Sequence, residues 1–263
     1  MKNVVMIDLD GVVLNENYKT TKEIHSTIKK LENSALVVPN SDTPINRLKR
    51  LFLDSVGLTP EVTIGEKGAI IDFFGTIFLT RCVPQIYEYR KEVVKTFNKI
   101  GGKVLESEYP IHAKRYQKFS PGEKIIIVDN SRQASISIFF FKAGNTGNLE
   151  VDNKWTEFCS GILSQIDLPE GLDEYEYNYK YGVAISNAIN SSKTLGVQFL
   201  KKELDPANYF MIGDSASDII QDNKVLHLAV GNADDDLILV SDFVANKKYT
   251  EGLEECLEWI LKF

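Results

Sequence analysis

Two short runs set carboxylates where apolar strands end. The first reads Val4-Val5-Met6-Ile7-Asp8-Leu9-Asp10-Gly11: four apolar residues, then two aspartates one residue apart, then a glycine. Two anions this close repel each other unless a cation neutralises them, and a divalent ion does so. Magnesium, a hard ion, suits carboxylate and carbonyl oxygens. The second run is Phe210-Met211-Ile212-Gly213-Asp214-Ser215-Ala216-Ser217-Asp218. Asp218 follows Asp214 by four residues, so one turn of helix returns it to the same side. Each run has an ordinary alternative. The first is also the pattern of an aspartate-rich turn, and Asp214 or Ser215 would serve equally as a helix cap. An EF-hand is excluded, because the acid-to-glycine spacing is wrong and an apolar strand comes first. In open α/β sheets, ligands bind beyond the carboxyl ends of strands, where both runs place their acids.

Two further segments suit a phosphate. Asn40-Ser41-Asp42-Thr43-Pro44 follows an apolar run. A hydroxyl and backbone N–H groups at a helix start can hold a phosphate oxygen, although a plain N-cap before Pro44 explains the segment as well. Ser192-Lys193-Thr194 opens another helix. Its lysine could neutralise a phosphate or simply face solvent. P-loop glycines are missing, so a nucleoside triphosphate cradle is excluded.

Strand–helix alternation positions these segments. Val4–Ile7 and Ala35–Val38 read as buried strands, with Pro44 starting a helix that carries Ile45, Leu48, Leu51 and Phe52 at helical spacing. After Lys193 come a helix to about Glu203, strands at Tyr209–Ile212 and Leu226–Val230, and an amphipathic helix near Glu251–Leu261. This alternation predicts an α/β fold, a Rossmann-like parallel sheet with helices on both faces. The middle reads differently. Strands at Ile125–Val128 and Ser135–Phe141, a turn at Gly144–Gly147, a helix near Lys154–Ile166 and alternating Tyr175, Tyr177, Tyr179 and Tyr181 indicate an inserted α+β domain. The expected division is a discontinuous core of residues 1–81 and 186–263, interrupted by an insert of residues 82–185.

In this order the motifs resemble those of the haloacid dehalogenase-like hydrolase superfamily, specifically its Cof-type, sugar-phosphatase-like branch with a cap of the second type (subfamily IIB). Asp8-Leu9-Asp10-Gly11-Val12-Val13 is similar to its first motif, Ser41 to its second, Lys193 to its third and Gly213–Asp218 to its fourth. Glu66-Lys67-Gly68-Ala69 resembles a segment usually written ENGA, and Gly231-Asn232-Ala233 the GNA that follows the fourth motif. The resemblance covers the whole core. It implies a phosphatase acting on a small phosphorylated metabolite, a sugar phosphate or a phosphoglycolate-like acid. Asp8 would be the nucleophile that carries the phosphoryl group, and Asp10 the general acid and base. Mg2+ would be held by Asp8, the Asp10 carbonyl, Asp214 and Asp218, the last directly or through water. Ser41, Asp42, Lys193 and Asn232 would line the phosphate site. The insert would be a cap that closes over the core. Dehalogenases and P-type ATPases lack an aspartate at the Asp10 position. The chain departs from the family at Asp42 and Thr43, where glycine and arginine are common, and at Lys67 and Ser217, where asparagine is frequent. A phosphomannomutase-like mutase shares these motifs, and a non-catalytic ligand-binding protein would have no use for Asp10.

The bulk numbers narrow the rest. The 263 residues carry a formal net charge of -7, which disfavours a nucleic-acid partner. Three dispersed cysteines without a CxxC pair argue against a disulfide framework or thiolate zinc site and fit a reducing compartment. The apolar N-terminal run is too short for a signal peptide, and no run reaches the roughly 18 apolar residues that span a bilayer. A cytoplasmic monomer or homodimer with no membrane association is expected. Two weaker patterns remain. The tyrosine stripe reads mainly as packing of a half-buried sheet, secondarily as a substrate platform. Lys114, Arg115 and Lys118 read as a solvated face, secondarily as an anion contact.

Overall fold

β1 (Asn3–Ile7) and β2 (Ala35–Pro39) pair in parallel, with Ile7 opposite Pro39. The computed structural model describes residues 3–108 and 119–263. Both strands are continuous apolar runs because helices or strands cover both faces of the sheet they form. On one face Val5 and Ile7 pack with Ile28 and Leu31 of α1 (His25–Leu31), Leu48 and Phe52 of α2 (Ile45–Val56), and residues near the C-terminus. On the other, Val4 and Met6 meet Val62, Ile64 and Ile71 of a small antiparallel sheet. That sheet consists of β3 (Val62–Gly65), β4 (Ile70–Phe73) and β5 (Thr76–Leu79). Sequence reading missed it: each strand has four residues, too short to establish a period, and β5 is exposed throughout.

The chain then enters its second unit, Arg81–Asn190, which carries α3 (Ile86–Asn98) and a second sheet. Its strands are β6 (Lys103–Ser107), β7 (Lys124–Asp129), β8 (Ser135–Ala143), β9 (Leu149–Val151), β10 (Glu176–Asn178) and β11 (Val183–Asn187). They run in the order β10-β11-β8-β7-β6, with β9 beside β8, and α4 (Asn153–Leu163) lies between β9 and β10. Phe97 of α3 meets Phe140 of β8 with ring centroids 5.8 Å apart. The tyrosines share that face: the hydroxyls of Tyr89 (α3) and Tyr175 lie 3.1 Å apart. The rings of Tyr175, Tyr177 and Tyr179 follow one another in tilted contact, neighbouring centroids 6.1 and 6.4 Å apart. Tyr175 meets the helix, only Tyr177 lies within the strand, and Tyr179 and Tyr181 are exposed. Lys114, Arg115 and Lys118 lie outside the described residues.

β11 pairs with β8 and β10, so it belongs to this second sheet. The expected boundary at 185/186 would cut it, and the first unit resumes at Ser191. Then follow α5 (Lys193–Glu203), β12 (Tyr209–Gly213), β13 (Val225–Ala229), α6 (Asp235–Val240), β14 (Phe243–Val244) and α7 (Tyr249–Ile260). The first sheet is wholly parallel, in the order β14-β13-β12-β1-β2. β1 is therefore flanked by β2 and β12, and the segments that follow all three leave the sheet at one edge. Among the described residues no helix is long and apolar enough to cross a membrane, and Cys82, Cys159 and Cys256 are unpaired.

Candidate active site

Asp8 is the first residue past β1, and its N–H still donates to the Ile212 carbonyl of β12, at 3.0 Å. This continuation of the ladder fixes the base of the side chain, which is buried. The buried Lys193, at the start of α5, reaches Asp8 Oδ1 at 2.7 Å and Asp218 Oδ1 at 2.5 Å. Asp218 Oδ2 accepts N–H bonds from Asp214 (3.0 Å) and Ser215 (3.1 Å). Both Asp218 oxygens are thus engaged within the protein, one by the lysine and one by the loop it closes.

Asp8, Asp214 and Asp218 each offer a carboxylate oxygen, and the three oxygens lie within 4.8 Å of one another. Burial raises the Asp8 pKa well above the usual carboxylate range; Lys193 opposes the shift, and Asp218 and Asp10 add to it. Burial likewise pushes Asp214 up to about 7, reinforced by Asp218, Asp10 and Asp234. Burial pulls Lys193 down, but Asp218, Asp8 and Asp42 outweigh it, so the ammonium stays charged. One lysine therefore does not balance the surrounding carboxylates. A hard dication is the group whose charge and oxygen preference fit what is left over, and the donor set suits it.

Asp10 is exposed on the loop that leaves β1. Gly11 beside it has φ +81, and a Cβ there would sit 1.9 Å from Asp214 Oδ2. The bare backbone is what lets the two acid-bearing loops approach. Gly11→Ala is expected to displace Asp214 and lower kcat/KM by about 100-fold, the scale on which a misplacement of about 1 Å is felt. Steady-state kinetics on the purified variant, shown folded by circular dichroism, test this; activity within twofold of wild type refutes it.

Ser41 is buried just past β2. Its N–H donates to the Ile64 carbonyl at 3.0 Å, its carbonyl accepts from the Lys67 N–H at 3.2 Å, and its Oγ accepts from the Thr43 N–H at 3.3 Å. The small sheet missed in sequence is thus what seats Ser41. Asp42 is near enough for its charge to act on Lys193. Asn232 donates from Nδ2 to the Gly11 carbonyl (2.9 Å) and accepts at Oδ1 from the Tyr249 N–H (2.8 Å). Its amide joins the Asp10 loop to the start of α7, a contact across more than two hundred residues. Gly68 was visible only as part of a motif. Its φ is +83, and a Cβ would lie 2.2 Å from the Ser192 carbonyl, so this glycine lets the start of α5, and with it Lys193, dock.

The carboxyl edge of the parallel sheet thus carries a lysine-bridged carboxylate cluster. The match to the haloacid dehalogenase-like hydrolase family model spans residues 5–257, and the chain belongs to that family. It is 22% identical over 268 residues to a phosphoglycolate phosphatase of Methanobrevibacter smithii, covering 97% of each chain. Its fold is similar to that of a haloacid dehalogenase-like hydrolase from Bacteroides thetaiotaomicron, with a TM-score of 0.67, 17% identity and 99% and 100% of the two chains covered. It is also similar to that of a sugar phosphatase of haloacid dehalogenase subclass IIB, with a TM-score of 0.58, 16% identity and both chains fully covered.

Proposed function

We propose that this hydrolase is a Mg2+-dependent phosphatase that cleaves a small phosphomonoester, a sugar phosphate or a phosphoglycolate-like acid, through an aspartyl-phosphate on Asp8. The phosphatase class is supported by the family match together with the activities named for the relatives. The observation that carries the chemistry is a buried Asp8 held by Lys193, with carboxylate oxygens of Asp8, Asp214 and Asp218 within 4.8 Å of one another.

Asp8 attacks phosphorus with one carboxylate oxygen, and the bond from phosphorus to the ester oxygen breaks. Asp10, on the exposed loop, protonates the departing alkoxide. In the second step Asp10 takes a proton from water as that water attacks phosphorus. Phosphate leaves and the Asp8 carboxylate is restored, so the proton balance closes over the two steps. Lys193 and Ser41 bind the transferring oxygens with charge and donors already in place. Asp8, Asp10 and Asp214 would hold the metal, which when bound neutralises nucleophile and phosphate. Asp218, in the same carboxylate cluster, would support the metal directly or through water while bracing the Asp214 loop, and Asn232, which braces the Asp10 loop, would line the phosphate site. The Arg81–Asn190 unit is assigned as the cap.

A panel of p-nitrophenyl phosphate, phosphoglycolate and hexose phosphates, assayed with Mg2+ and with EDTA, tests the reading. Phosphate release that EDTA abolishes and Mg2+ restores is expected, with one class of ester preferred. Release unaffected by EDTA, or folded protein inert on every ester, overturns it. Isomerisation of a hexose monophosphate that requires a bisphosphorylated activator points instead to a mutase.

A further inference from the structure

We infer that Asp234 is a positioning residue that fixes Asp214 in its metal-binding place, a role that rests on the phosphatase reading above. At first sight Asp234 is only a helix cap: its Oδ1 accepts the Leu237 N–H at 3.0 Å at the start of α6. A cap needs one oxygen. The second, Oδ2, accepts the Ala216 N–H at 2.7 Å, the shorter of the two bonds. The Asp234 N–H itself donates to the Asp214 carbonyl at 2.9 Å. The Asp214 loop is therefore gripped twice by one residue from the next loop of the sheet edge.

The grip completes a closed set. Asp218 Oδ2 takes the N–H groups of Asp214 and Ser215, and the Asp218 N–H donates to the Ser215 carbonyl at 2.9 Å. With Asp234 on the Asp214 carbonyl and the Ala216 N–H, each backbone polar group from the Asp214 N–H to the Ala216 N–H has a partner. Asp214 can then swing away only by breaking several hydrogen bonds at once. This matters because Asp214 is crowded by other acids and, with no cation bound, would be repelled out of the cluster. Outer partners of metal ligands act in this way, and their loss typically weakens binding by about ten- to a hundredfold.

Asp234→Ser separates the two jobs. Serine is as good a cap as aspartate, but it is too short to cap Leu237 and reach Ala216 together. Asp235→Ser, one residue along, removes the same charge without touching the loop and serves as the control. The experiment titrates each full-length protein with Mn2+ alone, reading free Mn2+ by electron paramagnetic resonance, beside thermal melts. Asp234→Ser is expected to weaken Mn2+ binding about tenfold or more, with melting within a few degrees of wild type and Asp235→Ser binding like wild type. Equal binding by Asp234→Ser and wild type overturns the inference and leaves the phosphatase reading standing. An equal loss in Asp235→Ser overturns it too, since charge alone then explains the effect. A wild-type protein that binds no Mn2+ brings down both.

Discussion

Asp8→Asn eliminates phosphate release and yet gives a metal-free protein that melts at a higher temperature than wild type. The first half follows from removal of the nucleophile, which costs on the order of 10^4-fold or more in enzymes that use a covalent intermediate. The second half follows from burial. The Asp8 pKa is raised in the folded protein, with desolvation the leading cause and Asp218 and Asp10 adding to it. A carboxyl with a raised folded pKa is held in a state it would rather leave once the pH passes its unfolded value. The native state therefore loses stability as pH rises through that window, and a neutral amide of the same shape avoids the loss. Lys193 keeps Asp218 as its partner, so the substitution does not strand the ammonium. The stabilisation should be visible at pH 8 and shrink as the pH falls, vanishing only below the ordinary value of 3.8, where Asp8 is protonated in both states. Turnover by Asp8→Asn near the wild-type rate removes the nucleophile assignment. A lower melting temperature at pH 8 without metal removes the electrostatic account.

Lys193→Met acts in the opposite sense. It leaves Asp8 and Asp218 buried without their cation, and breaking such a pair from one side typically costs about 3–5 kcal/mol. Methionine fills much of the space, so the loss reports charge rather than a cavity. The sign with pH again discriminates. In the variant Asp8 has lost the charge that favours its ionised form, so it binds a proton more readily when folded. Stability should recover as pH falls from 8 to 5, and millimolar Mg2+ at pH 8 should restore part of it if the carboxylates hold the ion. Urea denaturation at both pH values, with and without Mg2+, measures this. A loss of the same size under all four conditions means that Lys193 contributes packing alone. Turnover should fall with the stability, because the same ammonium is assigned to the transferring phosphate.

The sequence by itself determined which residues the chemistry could use. An apolar run that ends in acids is a local pattern, and a parallel sheet carries every such ending to one edge. Asp8, Asp10, Asp214 and Asp218 are therefore legible from two stretches of chain, and Lys193 from the start of one helix. The alternating core was legible for the same reason, since a strand buried on both faces announces itself by composition. What the tertiary structure decided is how those residues are shared out. Asp218 gives one oxygen to Lys193 and the other to backbone N–H groups, so besides its place in the carboxylate cluster it braces the Asp214 loop. Asn232 and Asp234 work on loops that are distant or merely adjacent in sequence, and no local period encodes such a partner. Gly11 and Gly68 matter through the absence of a side chain beside Asp214 and Ser192, which becomes visible only once the neighbour is in place. The return from the insert shows the same limit: β11 reads as a strand from its composition, but only its hydrogen-bond partners, β8 and β10, say which sheet owns it.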